Sequence, residues 1–253
     1  MTQGLLLKTY IFDIDGTLAK GGKPIEPAIH ESIETLRDAH QIVFASARPV
    51  RDILPMLPEH FHDALIVGCN GGMVWQKGEF QTLHTFPPDD LVRILGFLRE
   101  HEVPYVLDGA WHYAFSVARH PFQEYVASLS DHVMSESELV EQGITKILVL
   151  DQQVRESLDD YLQKQSIAHS SAYHKKDDFF DLTPHKDDKY LSLHEHGIDF
   201  DSAVAFGNDE NDFSMLAHAA VSVFVGSENV FSGATYYREM DEIPEVLSEI
   251  CRL

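Results

Sequence analysis

The sequence predicts an α/β fold in which a parallel-sheet core is interrupted by an inserted α+β segment. Between residues 8 and 75, short apolar runs alternate with amphipathic stretches, which is typical of βαβ units around a parallel sheet. From about residue 80 the pattern changes to a longer helix and a hairpin-like run, and after Pro184 the first pattern returns. These observations predict a discontinuous core domain, residues 1–82 and 184–253, and an inserted domain, residues 83–183.

The first part of the core contains three predicted strands and one predicted helix. Residues 10–14, 42–45 and 65–67 are apolar runs of strand length. Between the first two runs, Ile29, Ile33 and Leu36 recur at the spacing of one helix face. A polar segment follows each strand, and a doubly wound sheet gathers such segments at the carboxyl ends of its strands, where these folds bind ligands.

The pattern of the inserted segment predicts a separate layer that contains helices and a small sheet. Lys146 opens one of its predicted strands, and we expect this lysine to face solvent. The predicted helices cover residues 91–98, 122–129 and 154–163, and the predicted strands cover residues 105–117, as a hairpin, 146–150 and 179–182.

The core pattern resumes after the insertion. A helix is predicted at residues 189–196, followed by strands at 203–206 and 221–225 and by a closing helix through Val246 and Ile250. The two parts of the core together supply enough apolar sequence for one parallel sheet covered by helices.

Charge and composition argue against several classes of partner. The chain has 41 acidic and 19 basic residues and a formal net charge of −22, which argues against nucleic acid or an anionic membrane. No apolar run approaches the roughly 20 residues that span a bilayer, and the first residues show no cleavage-site pattern. We therefore expect a cytoplasmic protein without a membrane partner, and a phosphorylated substrate would need positive charge supplied locally.

The cysteines and histidines show no metal-binding spacing. Cys69 and Cys251 lie far apart in the sequence, which suits a reducing compartment, and we expect both to be small core residues. The 15 histidines are scattered along the chain, so we expect no histidine metal site.

The most informative motif follows the first strand. Asp13 and Asp15 are two positions apart at the end of an apolar run, followed by Gly16 and Thr17. In an extended chain, residues two apart point to the same side, so the two carboxylates converge. A hard cation such as Mg²⁺ would relieve their repulsion and prefers oxygen ligands. This arrangement suits phosphoryl transfer, with one aspartate attacking phosphorus and the other moving a proton.

Further polar segments follow the other core strands, and together they resemble a known superfamily. Ser46-Ala47-Arg48 follows the second strand, Asn70-Gly71-Gly72 follows the third, and the loop at residues 207–212 follows the strand at 203–206. With Lys189, these segments match in order and spacing the four motifs of the haloacid dehalogenase-like hydrolases, and the chain resembles their Cof-like branch over nearly its full length. The resemblance implies a Rossmann-like core with an inserted α+β cap that determines substrate specificity.

The resemblance also implies roles for the site residues. Asp13 would be the nucleophile, Asp15 the general acid and base, and Mg²⁺ the cofactor. The residues implied to bind substrate are Ser46, Ala47 through its amide, Arg48, Asn70, Gly71, Lys189 and Asn211. The residues implied to hold the metal are Asp13, Asp15 through its carbonyl, Asn208 and Asp212, which would either orient the other ligands or join them.

Three departures from the family pattern leave alternatives open. Asn208 replaces the usual aspartate and should weaken cation binding. Ser46 and Ala47 replace threonine and glycine but keep a hydroxyl. Tyr190 follows Lys189 where the family has glycine, and Lys186 lies three residues earlier, so either lysine could be catalytic, with Lys189 favoured because it opens the helix pattern.

The sequence therefore predicts a Mg²⁺-dependent phosphatase that acts on a small phosphorylated metabolite, such as a sugar phosphate or a phosphorylated cofactor. A phosphomutase is an alternative, but the inserted segment has few basic residues to hold a second phosphate. A non-catalytic sensor of phosphorylated ligands is a further alternative, which the intact Asp13 and Asp15 oppose. The natural substrate and the oligomeric state are left open.

Overall fold

The structure, a computed structural model, describes residues 7–174, 178–184 and 188–252. The chain divides into two compact units. Unit 1 comprises Met1–Arg48, Ile53–Gln81 and Asp188–Leu253, and unit 2 comprises Pro49–Asp52 and Thr82–Asp187.

Unit 1 is built on an eight-stranded sheet. Its strands are β1 (Thr9–Phe12), β2 (Gln41–Ala45), β3 (Leu65–Gly68), β4 (Met73–Gln76), β5 (Glu79–Leu83), and, after the insertion, β11 (Ala203–Gly207), β12 (Val221–Val225) and β13 (Tyr236–Arg238). Their order across the sheet is β13-β12-β11-β1-β2-β3-β4-β5. The strands from β13 to β3 are parallel, and β4 runs antiparallel to β3.

The helices of unit 1 cover this sheet with apolar faces. Ile11, Val43 and Ala205 on three central strands pack with Leu193 and Met215 in one buried cluster. The helices are α1 (Pro27–Glu34), α7 (Lys189–Glu195), α8 (Phe213–His218) and α9 (Ile243–Ile250), and α2 (Val50–Ile53) lies at the boundary between the units.

Unit 2 is an α+β layer with a five-stranded antiparallel sheet. Its strands are β6 (Tyr105–Asp108), β7 (Tyr113–Phe115), β8 (Lys146–Val149), β9 (His169–His174) and β10 (Phe179–Pro184), in the order β7-β6-β8-β10-β9. Its helices are α3 (Pro88–Glu100), α4 (Pro121–Leu129), α5 (Glu136–Gln142) and α6 (Arg155–Lys164).

The α/β fold class and the predicted strands and helices are confirmed, while two predictions about single residues are wrong. Lys146 is only 6% exposed because its ammonium group pairs with two buried aspartates, described below. Cys251 is exposed because it follows the last turn of α9, outside the buried face of that helix; Cys69 is buried as predicted. Leu36 lies just beyond α1, which ends at Glu34. Among the described strands and α-helices, those that the sequence pattern did not predict are β4, β5, β9, β13, α2, α5 and α8.

Within the described residues, the helices are too short and too polar for any of them to cross a membrane.

Candidate active site

Adjacent parallel strands bring three polar segments to one edge of unit 1. Phe12, the last residue of β1, is in register with Phe44 of β2 and Phe206 of β11. The residues after these strands therefore lie side by side at the carboxyl-end edge. The Asp13 amide continues this pairing by donating to the Phe206 carbonyl at 3.0 Å. Asp13, Ser46 and Asn208 are thus placed by the sheet itself.

Asp13 is almost completely buried and both of its carboxylate oxygens have partners. Its Oδ1 accepts a hydrogen bond from Lys189 Nζ at 2.7 Å, and its Oδ2 accepts one from Thr17 Oγ1 at 2.8 Å. The Lys189 side chain is fully buried, and its Nζ also donates to Asp212 Oδ1 at 2.7 Å. A single ammonium group therefore joins two carboxylates that are 199 positions apart in the chain.

Lys189 reaches this position because it begins α7. The Asp188 side chain caps the helix by accepting from the Leu191 amide at 2.6 Å. The turn at Gly71 packs directly against this start: a Cβ at Gly71 would lie 2.7 Å from the Asp188 carbonyl oxygen, and the Gly71 φ of +119° is itself unfavourable for other residues. Gly71 therefore allows the third strand-end turn to approach the lysine helix.

Asp212 holds the loop after β11 in place. Its Oδ1 accepts a hydrogen bond from Lys189 Nζ, and its Oδ2 accepts hydrogen bonds from the backbone amides of Asn208 and Asp209 at 2.9 and 3.1 Å. Asp212 is fully buried. Both of its oxygens are thus engaged in fixing Lys189 and the backbone of Asn208.

The shared burial of these groups shifts their pKa values. Burial and the neighbouring Asp212 charge raise the pKa of Asp13 to about 7, although Lys189 and Thr17 act in the opposite direction. Burial alone would lower the pKa of Lys189, but Asp13 and Asp212 outweigh it and raise that pKa above its usual range. The lysine is therefore permanently charged near neutral pH, while Asp13 can exchange a proton.

Polar atoms of three residues converge beside Asp13. One terminal atom of the Asn208 amide lies 2.9 Å from the Asp15 carbonyl oxygen, 3.0 Å from Asp13 Oδ2 and 3.1 Å from Thr17 Oγ1. With nitrogen at this position, Asn208 donates to all three. With oxygen there, the spacing fits a shared hard cation, because neighbouring ligands of an octahedral ion with bonds of about 2.0–2.1 Å lie about 2.9 Å apart.

Gly16 makes the approach of Asn208 possible. Its φ is +88°, and a Cβ at this position would lie 2.2 Å from the Asn208 amide. A side chain at Gly16 would therefore push Asn208 away from Asp13.

Asp15 forms a two-pronged ion pair with Arg48. The Arg48 Nε lies 2.6 Å from Asp15 Oδ2, and Nη2 lies 3.0 Å from Oδ1. The Asp15 side chain is 38% exposed. Arg48 therefore orients the Asp15 side chain. The contact of Arg48 with substrate stays a prediction.

Ser46 and Asn70 place donors near the carboxyl-end edge. Ser46 Oγ is buried and accepts from the Arg48 amide at 3.1 Å, so its proton is available to another partner. The backbone amide of Asn70 donates to the Ser46 carbonyl at 3.1 Å. The Asn70 side chain accepts a hydrogen bond at Oδ1 from Asn211 Nδ2 at 2.9 Å. Asn70 Nδ2 is buried and has no hydrogen-bond partner among the residues that the structure describes. This is an unused donor in a residue predicted to bind substrate.

All eleven predicted site residues lie in unit 1. Asp13, Lys189, Asp212 and Asn208 form one connected network, Asp15 joins it through its carbonyl oxygen, and Ser46, Asn70 and Asn211 form a second chain of hydrogen bonds. Lys186, the alternative lysine, lies outside the described residues. No role was predicted for Thr17, and the available signal was its hydroxyl four residues after Asp13.

Comparisons with known proteins agree on the fold and family. The model of the haloacid dehalogenase-like hydrolase family matches residues 10–239. No curated protein gives a significant match.

Several solved structures share the complete fold. A Streptococcus mutans protein is 20% identical, with 98% of this chain and 100% of that chain covered and a TM-score of 0.82. A haloacid dehalogenase-like hydrolase from Bacteroides thetaiotaomicron is 22% identical, with 97% and 100% covered and a TM-score of 0.81. The subclass IIB sugar phosphatase BT4131 is 20% identical, with 97% and 100% covered and a TM-score of 0.79.

The similarity to these structures therefore spans both units of the chain. The family match includes every predicted site residue, from Asp13 to Asp212. The chain belongs to the haloacid dehalogenase-like hydrolases.

Proposed function

We propose that the protein is a Mg²⁺-dependent phosphatase of small phosphorylated metabolites. The observation that carries this proposal is the pairing of Asp13, with one carboxylate oxygen on the buried Lys189 and the other beside Asn208 and the Asp15 carbonyl. Such a carboxylate is held rigidly, is flanked by a permanent positive charge and has oxygen ligands next to it. These are the requirements of a nucleophile that attacks a phosphoryl group.

The cation would be held by Asp13, the carbonyl of Asp15 and the side chain of Asn208. When bound, Mg²⁺ would neutralise charge on the phosphoryl oxygens and on Asp13. The sequence analysis also named Asp212 as a ligand. Because both Asp212 oxygens already accept hydrogen bonds, we infer that it orients Asn208 and Lys189.

Asp13 and Asp15 would divide the chemistry between them. Asp13 attacks phosphorus, the bond from phosphorus to the leaving oxygen breaks, and Asp15 donates a proton to that oxygen. Asp15 then takes a proton from the water that attacks the aspartyl-phosphate, the bond to Asp13 breaks, and inorganic phosphate leaves. The partial exposure of Asp15 and its pairing with Arg48 support this role, because Asp15 can be oriented without being sealed from substrate.

The phosphate would be bound by Lys189 and by the strand-end donors. Ser46 Oγ, the Ala47 amide and Arg48 follow β2, and Asn70 and Gly71 follow β3. The partnerless Asn70 Nδ2 supports this assignment, because a phosphate oxygen would satisfy a donor that is otherwise buried alone. Asn211 would hold Asn70 in position through its 2.9 Å hydrogen bond.

Substrate choice is assigned to the inserted domain, residues 83–183, with residues 1–82 and 184–253 as the catalytic domain. The subclass IIB relative described above is a sugar phosphatase, which supports a sugar phosphate or a similar small metabolite as the substrate class. A cytoplasmic location stays a prediction, supported by Cys69 and Cys251, which form no disulfide in the described part of the chain.

Release of phosphate from an aryl phosphate tests this function. We expect the full chain to release inorganic phosphate with Mg²⁺ and to lose this activity with EDTA. The Asp13→Asn variant should be at least about 1,000-fold less active, because the amide cannot attack phosphorus. Circular dichroism and a melting curve would establish that the variant is folded.

Two results would count against the proposal. Activity that persists in Asp13→Asn would exclude Asp13 as the nucleophile. Binding of phosphorylated metabolites with no turnover across a broad panel would favour a sensor.

A further inference from the structure

Two histidines and a glutamate meet on unit 1 outside the candidate active site. His30 and Glu34 are four residues apart on α1 and therefore lie on one helix face. His60 comes from a short 3₁₀ helix, Glu59–Phe61, before β3. Each of the three residues offers one ligand atom, and these atoms lie within 4.8 Å of one another. We call this group the His–Glu–His cluster.

The side chains of the cluster are in close contact, but two of their polar atoms lack hydrogen bonds. His60 Nε2 lies 2.6 Å from Glu34 Oε2, yet Oε2 is buried and accepts no properly aligned hydrogen bond. His30 Nε2 is also buried and accepts or donates no hydrogen bond within residues 7–174, 178–184 and 188–252. A metal ion bound between neighbouring buried nitrogen and oxygen atoms would satisfy those that lack a hydrogen-bond partner.

The surrounding residues hold the ligands in place. The edge of the His30 ring faces the Phe61 ring at a centroid distance of 6.1 Å, and the His60 ring lies 4.4 Å from that of Phe61. Arg37 binds Glu34 through the other carboxylate oxygen, Oε1, at 3.1 Å. Oε2 is therefore left to face the histidines.

We propose that the His–Glu–His cluster binds a transition-metal cation of the Zn²⁺ class. Two imidazoles and one carboxylate suit Zn²⁺, Ni²⁺ or Cu²⁺, whereas Mg²⁺ prefers oxygen ligands alone. Neighbouring ligands of a tetrahedral ion with bonds of about 2.0–2.1 Å lie about 3.4 Å apart. The longer separations must shorten on binding, and the 2.6 Å contact must lengthen. The side chains of His60 and Glu34 are 35% and 40% exposed and can make this adjustment.

The cluster is separate from the chemistry proposed above. Helix α1 leads from the carboxyl end of β1 back toward the amino end of β2, and Glu34 is its last residue. His60 precedes β3 by a few residues, on the same amino-end side of the sheet. Asp13 lies at the carboxyl-end edge. A metal here would therefore join α1 to the segment before β3 and stabilise unit 1 without taking part in catalysis.

Zinc titration of the full chain tests the proposal. Protein freed of metal with EDTA and then dialysed into saturating MgCl₂ is titrated with ZnCl₂ and followed by calorimetry and by melting temperature. We expect the wild type to bind Zn²⁺ and to melt at a higher temperature when it does. His60→Ala and Glu34→Gln should each weaken that binding at least tenfold and abolish the rise in melting temperature.

Arg37→Gln is the matched control, because it removes a neighbouring charge but no ligand. It should bind Zn²⁺ at least as tightly as the wild type, since a nearby positive charge disfavours a cation. Phosphate release with Mg²⁺ should be unchanged in His60→Ala. The proposal is overturned if wild-type protein in MgCl₂ takes up no Zn²⁺, or if His60→Ala and Glu34→Gln both bind it with wild-type affinity.

Discussion

Each unit of the protein buries a lysine between two aspartates, but the two clusters are built differently. In unit 1, Lys189 Nζ lies 2.7 Å from both Asp13 and Asp212. In unit 2, Lys146 Nζ lies 3.5 Å from Asp108 and 3.2 Å from Asp181. All of these side chains are at least nine-tenths buried. The same residue types at similar depth thus occur once at the candidate active site and once away from it.

The unit 2 cluster is part of a sheet. Asp108, Lys146 and Asp181 lie on the adjacent strands β6, β8 and β10, and Asp108 is directly opposite Lys146 in the register. Arg51 adds a second cation, with Nη2 at 2.7 Å from Asp108 Oδ1. The charges of this cluster therefore compensate one another inside the sheet.

The unit 1 cluster is formed by segments that follow strands or begin a helix. Asp13 follows β1, Asp212 lies in the loop after β11, and Lys189 begins α7. Beside Asp13, the Asn208 side chain meets the carbonyl oxygen of Asp15 and the hydroxyl of Thr17, so this cluster lies among the polar groups at the carboxyl-end edge of the sheet. The comparison teaches that buried ion pairs of the same residue types differ by their place in the fold: those within strands compensate one another inside a sheet, whereas those that follow parallel strands lie where such folds bind ligands.

Removing each lysine in turn gives the largest expected difference between the clusters. Lys189→Met should lower kcat/KM for an aryl phosphate by about 1,000-fold, because the positive charge beside the reacting group is lost. Lys146→Met should instead lower the free energy of unfolding by about 3 kcal/mol, because it leaves buried carboxylates short of a partner. Steady-state kinetics and urea unfolding of both variants measure these effects.

The activities of the two variants are compared per folded molecule, without urea and at a temperature well below the melting points of both variants. Equal losses of kcat/KM in Lys146→Met and Lys189→Met would show that the two clusters serve the same purpose. A stable, fully active Lys189→Met would remove the lysine from the proposed mechanism.

The pH dependence of stability should distinguish Asp13 from a carboxylate that merely forms an ion pair. Its pKa is raised from 3.8 to about 7 by burial and by Asp212. The folded protein therefore keeps a proton that the unfolded chain has released, and this contribution to stability is present below about pH 4 and is lost as the pH rises toward 7. Urea unfolding in EDTA between pH 4.5 and 7.5 should show the loss, and Asp13→Asn should flatten it.

The affinity for Mg²⁺ should depend on the same Asp13 proton. Because Mg²⁺ must displace it, Mg²⁺ affinity should rise about tenfold per pH unit until the pH reaches about 7. Calorimetry in two buffers of different ionisation enthalpy measures the released proton directly. A Mg²⁺ affinity that is constant from pH 5 to 7 would contradict the raised pKa.

The residues of the candidate active site could be predicted from the sequence, whereas the unit 2 cluster could not, and the reason is physical. Parallel strands carry whatever follows them to one edge, so Asp13, Ser46 and Asn208 could be grouped from strand positions alone. Lys146 was misplaced because its partners are set by the register of an antiparallel sheet, which local patterning does not contain. The His–Glu–His cluster was missed similarly: His30 and Glu34 share a helix face, but His60 joins them only through packing of the fold.

A pair of buried side-chain amides gives the smallest and most selective test of the comparison. Within the described part of the chain, Asn70 Nδ2 in unit 1 has no partner. Gln123 Nε2 in unit 2 instead donates to Ser116 Oγ at 3.0 Å and to the carbonyls of Tyr105 and Ala118 at 3.3 and 3.1 Å. Asn70→Gly, which tolerates the φ of +55° at this position, should raise KM for an aryl phosphate about tenfold with little change in kcat, because one hydrogen bond to phosphate is lost. Gln123→Leu should leave KM unchanged and lower the free energy of unfolding by about 1–3 kcal/mol, because it removes three hydrogen bonds of a buried side-chain amide. If Asn70→Gly changes only stability, its side-chain donor does not face the phosphate, and Asn70 then has the same structural role as Gln123.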